Sequence, residues 1–257
     1  MASTDWNPDQ YERFRDERRQ PFVDLLALVR PRPGMRVIDL GCGTCDLTRL
    51  LHDRLQARET LGLDSSASML ERSQAVAGHG VRFELGDLTA FAPAEPYDLI
   101  FSNAALHWAP AHPQLLRRLT TFVRDGGQLA VQVPANHDHP SHLAAAAVAV
   151  EEPFHSALEG YVRQPGVLLP EEYAAVLDGL GYRAQHVRLQ VYAHHLPCRD
   201  DVVEWVKGTT LVDYQKRLPA ELFTQFLERY RQRLLPQLED TRPYFYPFKR
   251  ILFWGQR

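Results

Sequence analysis

The chain has 257 residues, of which 45% are hydrophobic, and a formal net charge of −3 at pH 7. This length supports one sizeable hydrophobic core, and the slightly acidic balance argues against a basic groove for nucleic acid. No apolar run approaches the ~20 residues of a membrane span, and the polar N-terminus does not resemble a signal peptide. We therefore expect a cytoplasmic protein with neither a nucleic-acid partner nor a membrane partner.

The N-terminal segment, residues 1–20, is polar with interleaved aromatic residues. A helix here would place Tyr11, Phe14 and Arg18 near one face. One interpretation is an amphipathic helix packed on the main body; the other is a lid whose aromatic rings close over a ligand.

A glycine-rich turn follows the first predicted strand. Residues 37–40 have the composition of a buried strand, and a helical pattern runs from 47 to 55. Gly41 and Gly43, in the turn between them, let the backbone approach a ligand closely because they lack a Cβ atom. Asp39, near the strand end, can accept a hydrogen bond or pair with a cation. A strand, a tight turn and a helix start typically bind a nucleotide-like ligand.

The spacing of this turn disfavours a dinucleotide site. The G-x-G-x-x-G fingerprint requires a third glycine at position 46, where this chain has Asp46, whose carboxylate would repel a pyrophosphate. The string from Asp39 to Cys45 instead resembles motif I of class I methyltransferases, Asp-Leu-Gly-Cys-Gly-Thr-Gly, and departs from it only at Cys45. The resemblance implies S-adenosyl-L-methionine (SAM) as cofactor, S-adenosyl-L-homocysteine as product, and contacts from Asp39, Gly41 and Gly43.

Metal and redox sites are disfavoured. Cys42 and Cys45 form a C-x-x-C pair inside the turn, but a zinc site needs further ligands and Cys198 is alone and distant. A thioredoxin-like pair lacks its usual context. The histidine-rich stretch 136–142 has no carboxylate or cysteine in helical register, so we interpret its histidines as capping and surface residues. We therefore predict no metal.

A second acidic residue ends the predicted strand 59–63. Asp64 lies 23 residues after the first glycine of the turn, where a carboxylate can accept hydrogen bonds from both hydroxyls of a ribose. Asp64 is alternatively an N-cap for a helix starting near Ser66, and both roles can hold together. The resemblance places Ser65 and Met69 near the adenosine.

A third acidic residue follows the predicted strand 81–85. Asp87 suits the edge of an adenine and Leu88 suits its face, and in the methyltransferase family this aspartate commonly receives the adenine amino group. An ordinary turn aspartate after a glycine is the alternative interpretation.

The predicted strand 97–102 ends next to the switch point of a doubly wound sheet. Asn103, at its end, is a candidate cofactor contact. His107 and Trp108 present neighbouring N–H donors that could hold an anionic oxygen, and we select them as catalytic candidates. A packed tryptophan with a solvent-exposed histidine is the alternative. Leu106-His107-Trp108 is similar to the Leu-Gln/His-Trp of small-molecule carboxyl methyltransferases.

The alternation of strands and helices predicts a parallel sheet with right-handed crossovers, with a turn at 125–127 and a fifth strand at 128–133. A long alternating strand at 182–195 and a final strand at 244–254 are separated by two helical stretches, 200–212 and 222–238.

We therefore predict an α/β fold: a doubly wound, seven-stranded, mostly parallel sheet of the Rossmann-like class I methyltransferase type, with a helical cap inserted before the last strand. We expect a single domain over 1–257, an N-terminal lid at 1–20, and cap elements at 135–170 and 197–242.

Two further segments resemble the trans-aconitate 2-methyltransferase family. They are Trp6-Asn7-Pro8 with the residues up to Pro21, and Glu204-Trp205-Val206. The resemblance runs over most of the chain and implies methyl ester formation on a small carboxylic acid. It also implies that the N-terminal segment covers the SAM pocket, which makes Tyr11, Phe14 and Arg18 candidate cofactor contacts.

One departure bears on the substrate. The family has Gly-Leu-Arg-Pro in the cap, where this chain has Thr210-Leu211-Val212-Asp213. Loss of an arginine weakens the case for a tricarboxylate, and Val212 suits an apolar acid with one carboxylate. Four other cations could compensate, although solvation at the surface is the more typical role for each: Lys207, Arg217, Lys249 and Arg250.

Other functions stay open at this point. A carboxylate acceptor is already ionised and needs no general base, whereas His107 could serve as a base for a phenol or an amine. Cys45 motivates a SAM-binding homologue without activity. Nucleic-acid methylation is disfavoured because Asn103-Ala104-Ala105-Leu106 stands where such enzymes often have Asn/Asp-Pro-Pro-Tyr/Phe. The sequence leaves the acceptor and the choice between monomer and homodimer undetermined.

Overall fold

The structure is a computed structural model that describes residues 15–71 and 73–257. The strands in this part of the chain are β1 (Arg36–Leu40), β2 (Glu59–Asp64), β3 (Val81–Leu85), β4 (Tyr97–Asn103), β5 (Val123–Pro134), β6 (Ala184–Leu196) and β7 (Tyr244–Gln256). The α-helices are α1 (Arg15–Leu26), α2 (Asp46–Leu55), α3 (Ala67–Leu70), α4 (Ser73–Val76), α5 (His112–Thr120), α6 (Pro140–Ala149), α7 (Phe154–Ala157), α8 (Pro170–Gly179), α9 (Asp201–Lys207), α10 (Val212–Arg217) and α11 (Ala220–Leu234). Short 3-10 helices cover Leu106–Trp108 and Leu235–Gln237.

The strands form one seven-stranded sheet in the order β3-β2-β1-β4-β5-β7-β6. The pairs among β1 to β5 are parallel, and β7 runs antiparallel to β5. Helices α9 to α11 lie in the sequence between β6 and β7. The predicted doubly wound, mostly parallel sheet with a helical insertion before its last strand is therefore confirmed.

The chain divides into two compact units. The sheet unit contains residues 15–134, 166–190 and 250–257 of the described chain, and the helical unit contains 135–165 and 191–249. The predicted single domain, its N-terminal lid and its cap elements stay predictions.

Burial explains why β1 and β4 occupy the middle of the sheet. Val37, Ile38 and Leu40 of β1 are fully buried, as are Leu99 and Ile100 of β4. Continuous apolar runs of this kind are typical of parallel strands covered on both faces. Each such side chain contributes about 1.5–3 kcal/mol when it is fully buried.

The structure differs from the sequence prediction in three places. The turn predicted at 125–127 lies inside β5, where Gly126 has a φ of +72° and the pairing with β4 shifts register between Tyr97 and Leu99. The predicted helical stretch 222–238 begins at Ala220, and its α-helical part ends at Leu234. The helical stretch 200–212 breaks after Lys207.

The helical unit is packed largely through aromatic rings. Trp205 stacks on His194 with ring centroids 5.0 Å apart, and Tyr214 stacks on Phe226 at the same distance. The Tyr230 hydroxyl donates to the Ser141 carbonyl over 3.0 Å. None of the described helices is long and apolar enough to span a bilayer.

The segment that departs from the family pattern lies in this unit. Val212 begins α10, and Asp213 accepts a hydrogen bond from Arg163 Nε over 2.8 Å. Of the cations considered as replacements, Lys207 pairs with Glu204 over 3.1 Å and Arg217 lies 3.8 Å from the ring centre of Tyr161.

The glycine turn after β1 requires both the left-handed conformation and close contact. Gly41 has a φ of +77°, and a Cβ atom added there would lie 2.1 Å from the Cβ atom of Ala105. Gly34 has the same φ, but a Cβ atom added to it would meet nothing within 4 Å. Alanine substitutions at these two glycines therefore distinguish the cost of backbone strain, present at both, from the cost of a steric clash, present only at Gly41.

We expect Gly34→Ala to lower the free energy of unfolding by about 1–2 kcal/mol, the cost of a left-handed non-glycine residue. Gly41→Ala should cost about 1–3 kcal/mol more, because the segment containing Ala105 must move. Urea unfolding of the two variants provides the measurement. Equal losses would contradict the close contact at Gly41.

Candidate active site

Hydrogen bonds attach the glycine turn to the end of β2. The amides of Gly41 and Cys42 donate to the Leu63 carbonyl over 2.7 and 3.1 Å. The Gly43 amide donates to Asp64 Oδ2 over 2.8 Å. Three residues selected from the sequence as cofactor contacts, Gly41, Gly43 and Asp64, therefore lie together.

Asp64 is not the N-cap of the helix that follows it. Its Oδ1 accepts a hydrogen bond from the Ser66 amide over 2.9 Å, and Ser66 Oγ is itself the cap of α3, accepting from the Met69 amide over 3.4 Å. The N-cap alternative was therefore wrong. Ser65 is exposed and Met69 is buried.

Asp39 is the most deeply buried carboxylate of the site, with 3% of its surface exposed. Its Oδ2 accepts a hydrogen bond from Thr48 Oγ1 over 2.6 Å. Burial raises the pKa of Asp39 to about 7; the Thr48 hydrogen bond lowers it and the charge of Asp64 raises it further. Asp39 therefore changes its charge near neutral pH.

The two turn cysteines are buried free thiols. Cys45 has a φ of +73°, the left-handed conformation that the glycine of the family motif adopts without strain. A hydrogen bond with Cys45, together with burial, raises the pKa of the Cys42 thiol. Among the residues that the structure describes, no group of three or more histidine, cysteine, aspartate or glutamate side chains could hold a metal ion.

Asp87 lies in an exposed turn after β3. Its Oδ1 accepts hydrogen bonds from the amide and the hydroxyl of Thr89, over 2.7 and 2.8 Å. The hydrogen bond from the Thr89 amide is the largest of the effects that lower the pKa of Asp87. The neighbouring Leu88 carbonyl accepts a hydrogen bond from Arg118 Nη2 over 2.6 Å. Asp87 therefore has the role of an ordinary turn aspartate, the alternative considered from the sequence. Its Oδ2 takes no part in the two hydrogen bonds to Thr89.

Asn103 ends β4 opposite Gln132 of β5. Its Oδ1 is buried and has no hydrogen-bond partner among the described residues. The Ala104 amide donates to the Gln132 carbonyl over 2.9 Å, which fixes the chain as it leaves the strand. A buried amide oxygen in this state suits a ligand that carries a positive charge or an N–H group.

His107 and Trp108 lie on the 3-10 helix that follows β4, with ring centroids 4.7 Å apart. Trp108 is 38% exposed and His107 is half-buried. A packed tryptophan beside an exposed histidine, the alternative considered from the sequence, is therefore wrong.

Two residues that sequence reasoning missed hold this 3-10 helix. His112 is buried, its burial lowers its pKa, and Nε2 lies 3.0 Å from the Leu106 carbonyl. Because a carbonyl only accepts, Nε2 carries the proton and Nδ1 accepts from the Tyr173 hydroxyl over 2.5 Å. The Tyr173 hydroxyl in turn accepts from the Leu168 amide over 3.4 Å. No sequence signal links His112 to a tyrosine 61 residues away.

The remaining candidates lie at the N-terminus. Tyr11 and Phe14 fall outside the described residues. Arg18 lies in α1, where only its backbone is described. Their roles as cofactor contacts stay predictions.

The buried carboxylate of Asp39 makes a pH prediction possible. Between pH 4 and pH 7 the folded chain keeps a proton that the unfolded chain releases, so the free energy of unfolding falls as pH rises. Asp39→Asn removes this dependence while keeping an oxygen for Thr48. Its stability relative to the natural chain should increase by about 4 kcal/mol between pH 4 and pH 8, measured by urea unfolding. A difference that does not change with pH would contradict it.

Comparison with known proteins gives matches to methyltransferases. Residues 31–169 match a family model described as a methyltransferase domain. The chain is 45% identical to a trans-aconitate 2-methyltransferase of Deinococcus radiodurans, over 98% of each chain. It is 39% identical to one of Variovorax paradoxus, over 90% of this chain and 89% of that one.

Solved structures show the same fold. The YcgJ protein of Bacillus subtilis matches with a TM-score of 0.61 and 17% identity, over 93% of this chain and 98% of that one. A SAM-dependent methyltransferase of Thiobacillus denitrificans in complex with S-adenosyl-L-homocysteine matches with a TM-score of 0.54 and 20% identity, over 93% and 91%. The chain therefore belongs to the trans-aconitate 2-methyltransferase family of SAM-dependent methyltransferases.

Proposed function

We propose that this protein transfers the methyl group of SAM to a carboxylate oxygen of a small organic acid of the trans-aconitate type, forming a methyl ester. The observation that carries this proposal is the 45% identity to a protein named trans-aconitate 2-methyltransferase over 98% of each chain. Incubation with SAM and a panel of carboxylic acids, followed by mass spectrometry of S-adenosyl-L-homocysteine, tests it. No release with any acid, where a phenol or amine is methylated, would overturn it.

The carboxylates of the site fit a positively charged nucleoside. Asp64, held by the Gly43 and Ser66 amides, keeps lone pairs for the two ribose hydroxyls. Asp87 Oδ2 would accept the adenine amino group, and Asn103 Oδ1 would accept a cationic or N–H group of the cofactor. When bound, SAM supplies an electrophilic methyl group on a positively charged sulfur.

The acceptor carboxylate is ionised at neutral pH, so the protein has mainly to align and desolvate it. His107 and Trp108 lie side by side after β4 and would donate hydrogen bonds that orient its oxygens. His112 and Tyr173 would act as positioning residues, because their hydrogen bonds hold the carbonyl of Leu106 immediately before this pair.

A cytoplasmic location is part of this proposal. It is supported by the free thiols of Cys42, Cys45 and Cys198, which suit a reducing compartment.

Asp64→Asn tests the ribose assignment. The substitution keeps the size of the side chain but replaces a charged acceptor, which should weaken SAM binding about 10- to 100-fold. Calorimetry with SAM gives the affinity, and thermal unfolding shows whether the fold is kept. Asp53→Asn, on the exposed side of α2, is the control that should bind SAM normally. Unchanged SAM affinity in Asp64→Asn would show that Asp64 does not bind the ribose.

His107 variants distinguish hydrogen-bond donation from general-base catalysis. His107→Ala should leave SAM affinity unchanged and lower kcat about 100-fold, since the hydrogen bond that aligns the acceptor oxygen with the methyl group is lost. His107→Gln keeps an N–H donor and should retain kcat within about tenfold of the natural chain, whereas a general base would lose activity in both variants. Initial rates of S-adenosyl-L-homocysteine release decide between them. A loss of SAM affinity in His107→Ala would place this residue at the cofactor instead.

A further inference from the structure

The register of the sheet brings three polar side chains to one face at the carboxyl end of β4 and β5. Asn103 of β4 pairs with Gln132 of β5, and Arg250 of β7 pairs with Pro134, two residues beyond Gln132. Residues paired in register, and those two apart along a strand, point to the same face. Asn103, Gln132 and Arg250 therefore share a face next to the turn that carries His107.

Gln132 presents a hydrogen-bond donor into this region. Its side chain is fully buried, and its Oε1 accepts a long hydrogen bond from Arg250 Nη1 at 3.5 Å. Because a guanidinium can only donate hydrogen bonds, the atom of Gln132 that faces Arg250 is the side-chain oxygen. Nε2, the other end of the amide, is then a hydrogen-bond donor that Arg250 cannot satisfy. Nε2 is buried and has no hydrogen-bond partner among the described residues.

Arg250 places a positive charge beside that donor. Only 4% of its surface is exposed, so the expectation that it is solvated at the surface was wrong. A guanidinium is always ionised in proteins, so Arg250 adds a buried positive charge to this face of the sheet.

Comparison with Gln128 shows that the unsatisfied amide donor occurs at the carboxyl end of β5 and not along the whole strand. It lies on the same strand and the same face, and it is equally buried. Its Oε1 accepts from the Arg30 amide and from Trp254 Nε1, each over 2.8 Å, and its Nε2 donates to the Arg30 carbonyl over 2.7 Å. An unsatisfied buried glutamine amide is therefore not a general property of this strand.

We propose that Gln132 and Arg250 form the subsite for a second carboxylate of the acceptor, the one that is not methylated. Gln132 Nε2 supplies the hydrogen bond and Arg250 supplies the charge. A carboxylate stabilised by a guanidinium is a poorer nucleophile, so the oxygen that accepts the methyl group belongs to the other carboxylate, near His107 and Trp108. This inference rests on the proposed function and extends it to acids with at least two carboxylates, in place of the single-carboxylate acid that Val212 suggested.

The polarity of the neighbouring atoms agrees with this division. Asn103 offers an oxygen and Gln132 offers an N–H group from adjacent strands, and both lie in register. The oxygen suits the cationic cofactor and the N–H group suits the anionic acceptor. The cofactor and the acceptor would thus be distinguished by their charge at neighbouring positions, at the carboxyl ends of β4 and β5.

Paired glutamine variants test the subsite. Gln132→Met should raise KM for trans-aconitate at least tenfold, with kcat and SAM affinity changed less than threefold and a smaller loss of thermal stability than Gln128→Met. Gln128→Met should lower the unfolding temperature, because it breaks three hydrogen bonds, and should leave KM unchanged. Equal effects of the two variants on KM would overturn the proposal.

Gln132→Glu provides a second variant that keeps the size of the side chain. Its carboxylate would occupy the subsite and pair with Arg250, so calorimetric binding of trans-aconitate should fall at least 100-fold while binding of SAM persists. A monocarboxylic acid of the same chain length should bind the natural chain and Gln132→Glu equally. A similar loss for both acids would mean that the variant disturbs the fold and not a subsite, and would overturn the proposal.

The outcomes separate this inference from the proposed function. If the natural chain binds trans-aconitate and Gln132→Met weakens that binding, but no acid is methylated, the subsite holds and the methyl ester proposal fails. If acids with one and two carboxylates are methylated with the same KM, and Gln132→Met changes neither, the methyl ester proposal holds and the subsite fails.

Discussion

The hydrogen bond from the Gly43 amide to Asp64 determines what kind of ligand this site can bind. In phosphate-binding turns the backbone N–H groups point at the ligand. Here the protein uses them itself: Gly43 donates to Asp64, and Gly41 and Cys42 donate to the Leu63 carbonyl. A carboxylate and a carbonyl of the protein therefore occupy amides that a phosphate site leaves for its ligand, which disfavours an anionic pyrophosphate and suits a cationic nucleoside.

The same turn fixes the position of the chain that leaves β4. Ser102 Oγ donates to the Leu40 carbonyl over 2.8 Å, and the Ala104 amide donates to the Gln132 carbonyl. Ala105 then lies where any side chain on Gly41 would have to go. His112 completes the arrangement by holding the Leu106 carbonyl. His107 and Trp108 are thus placed by contacts that begin in the first strand and end in α5.

Charge is distributed along the carboxyl edge of the sheet in an order that matches the proposed reaction. The acidic groups, Asp39 and Asp64, lie at the ends of β1 and β2, and the buried cation Arg250 lies on β7. Asn103 and Gln132 lie between them on β4 and β5 and present opposite polarity. A positively charged methyl donor and a negatively charged acceptor would be directed to neighbouring positions without a general base.

The sequence by itself determined the alternation of strands and helices, the glycine turn, and the carboxylates at the ends of β1 and β2. These follow from local signals: apolar runs, glycines that permit a sharp turn, and an acidic residue at a strand end. It could not determine that Arg250 is buried, because Lys249-Arg250 reads as an exposed pair of cations until the pairing of β7 with β5 assigns each residue to a face. Nor could it find the bond from His112 to Tyr173 or the open donor of Gln132, since these depend on residues far apart in the chain. Only the tertiary structure decides which polar groups are satisfied, because burial and hydrogen-bond partners are set by the packing of separate elements.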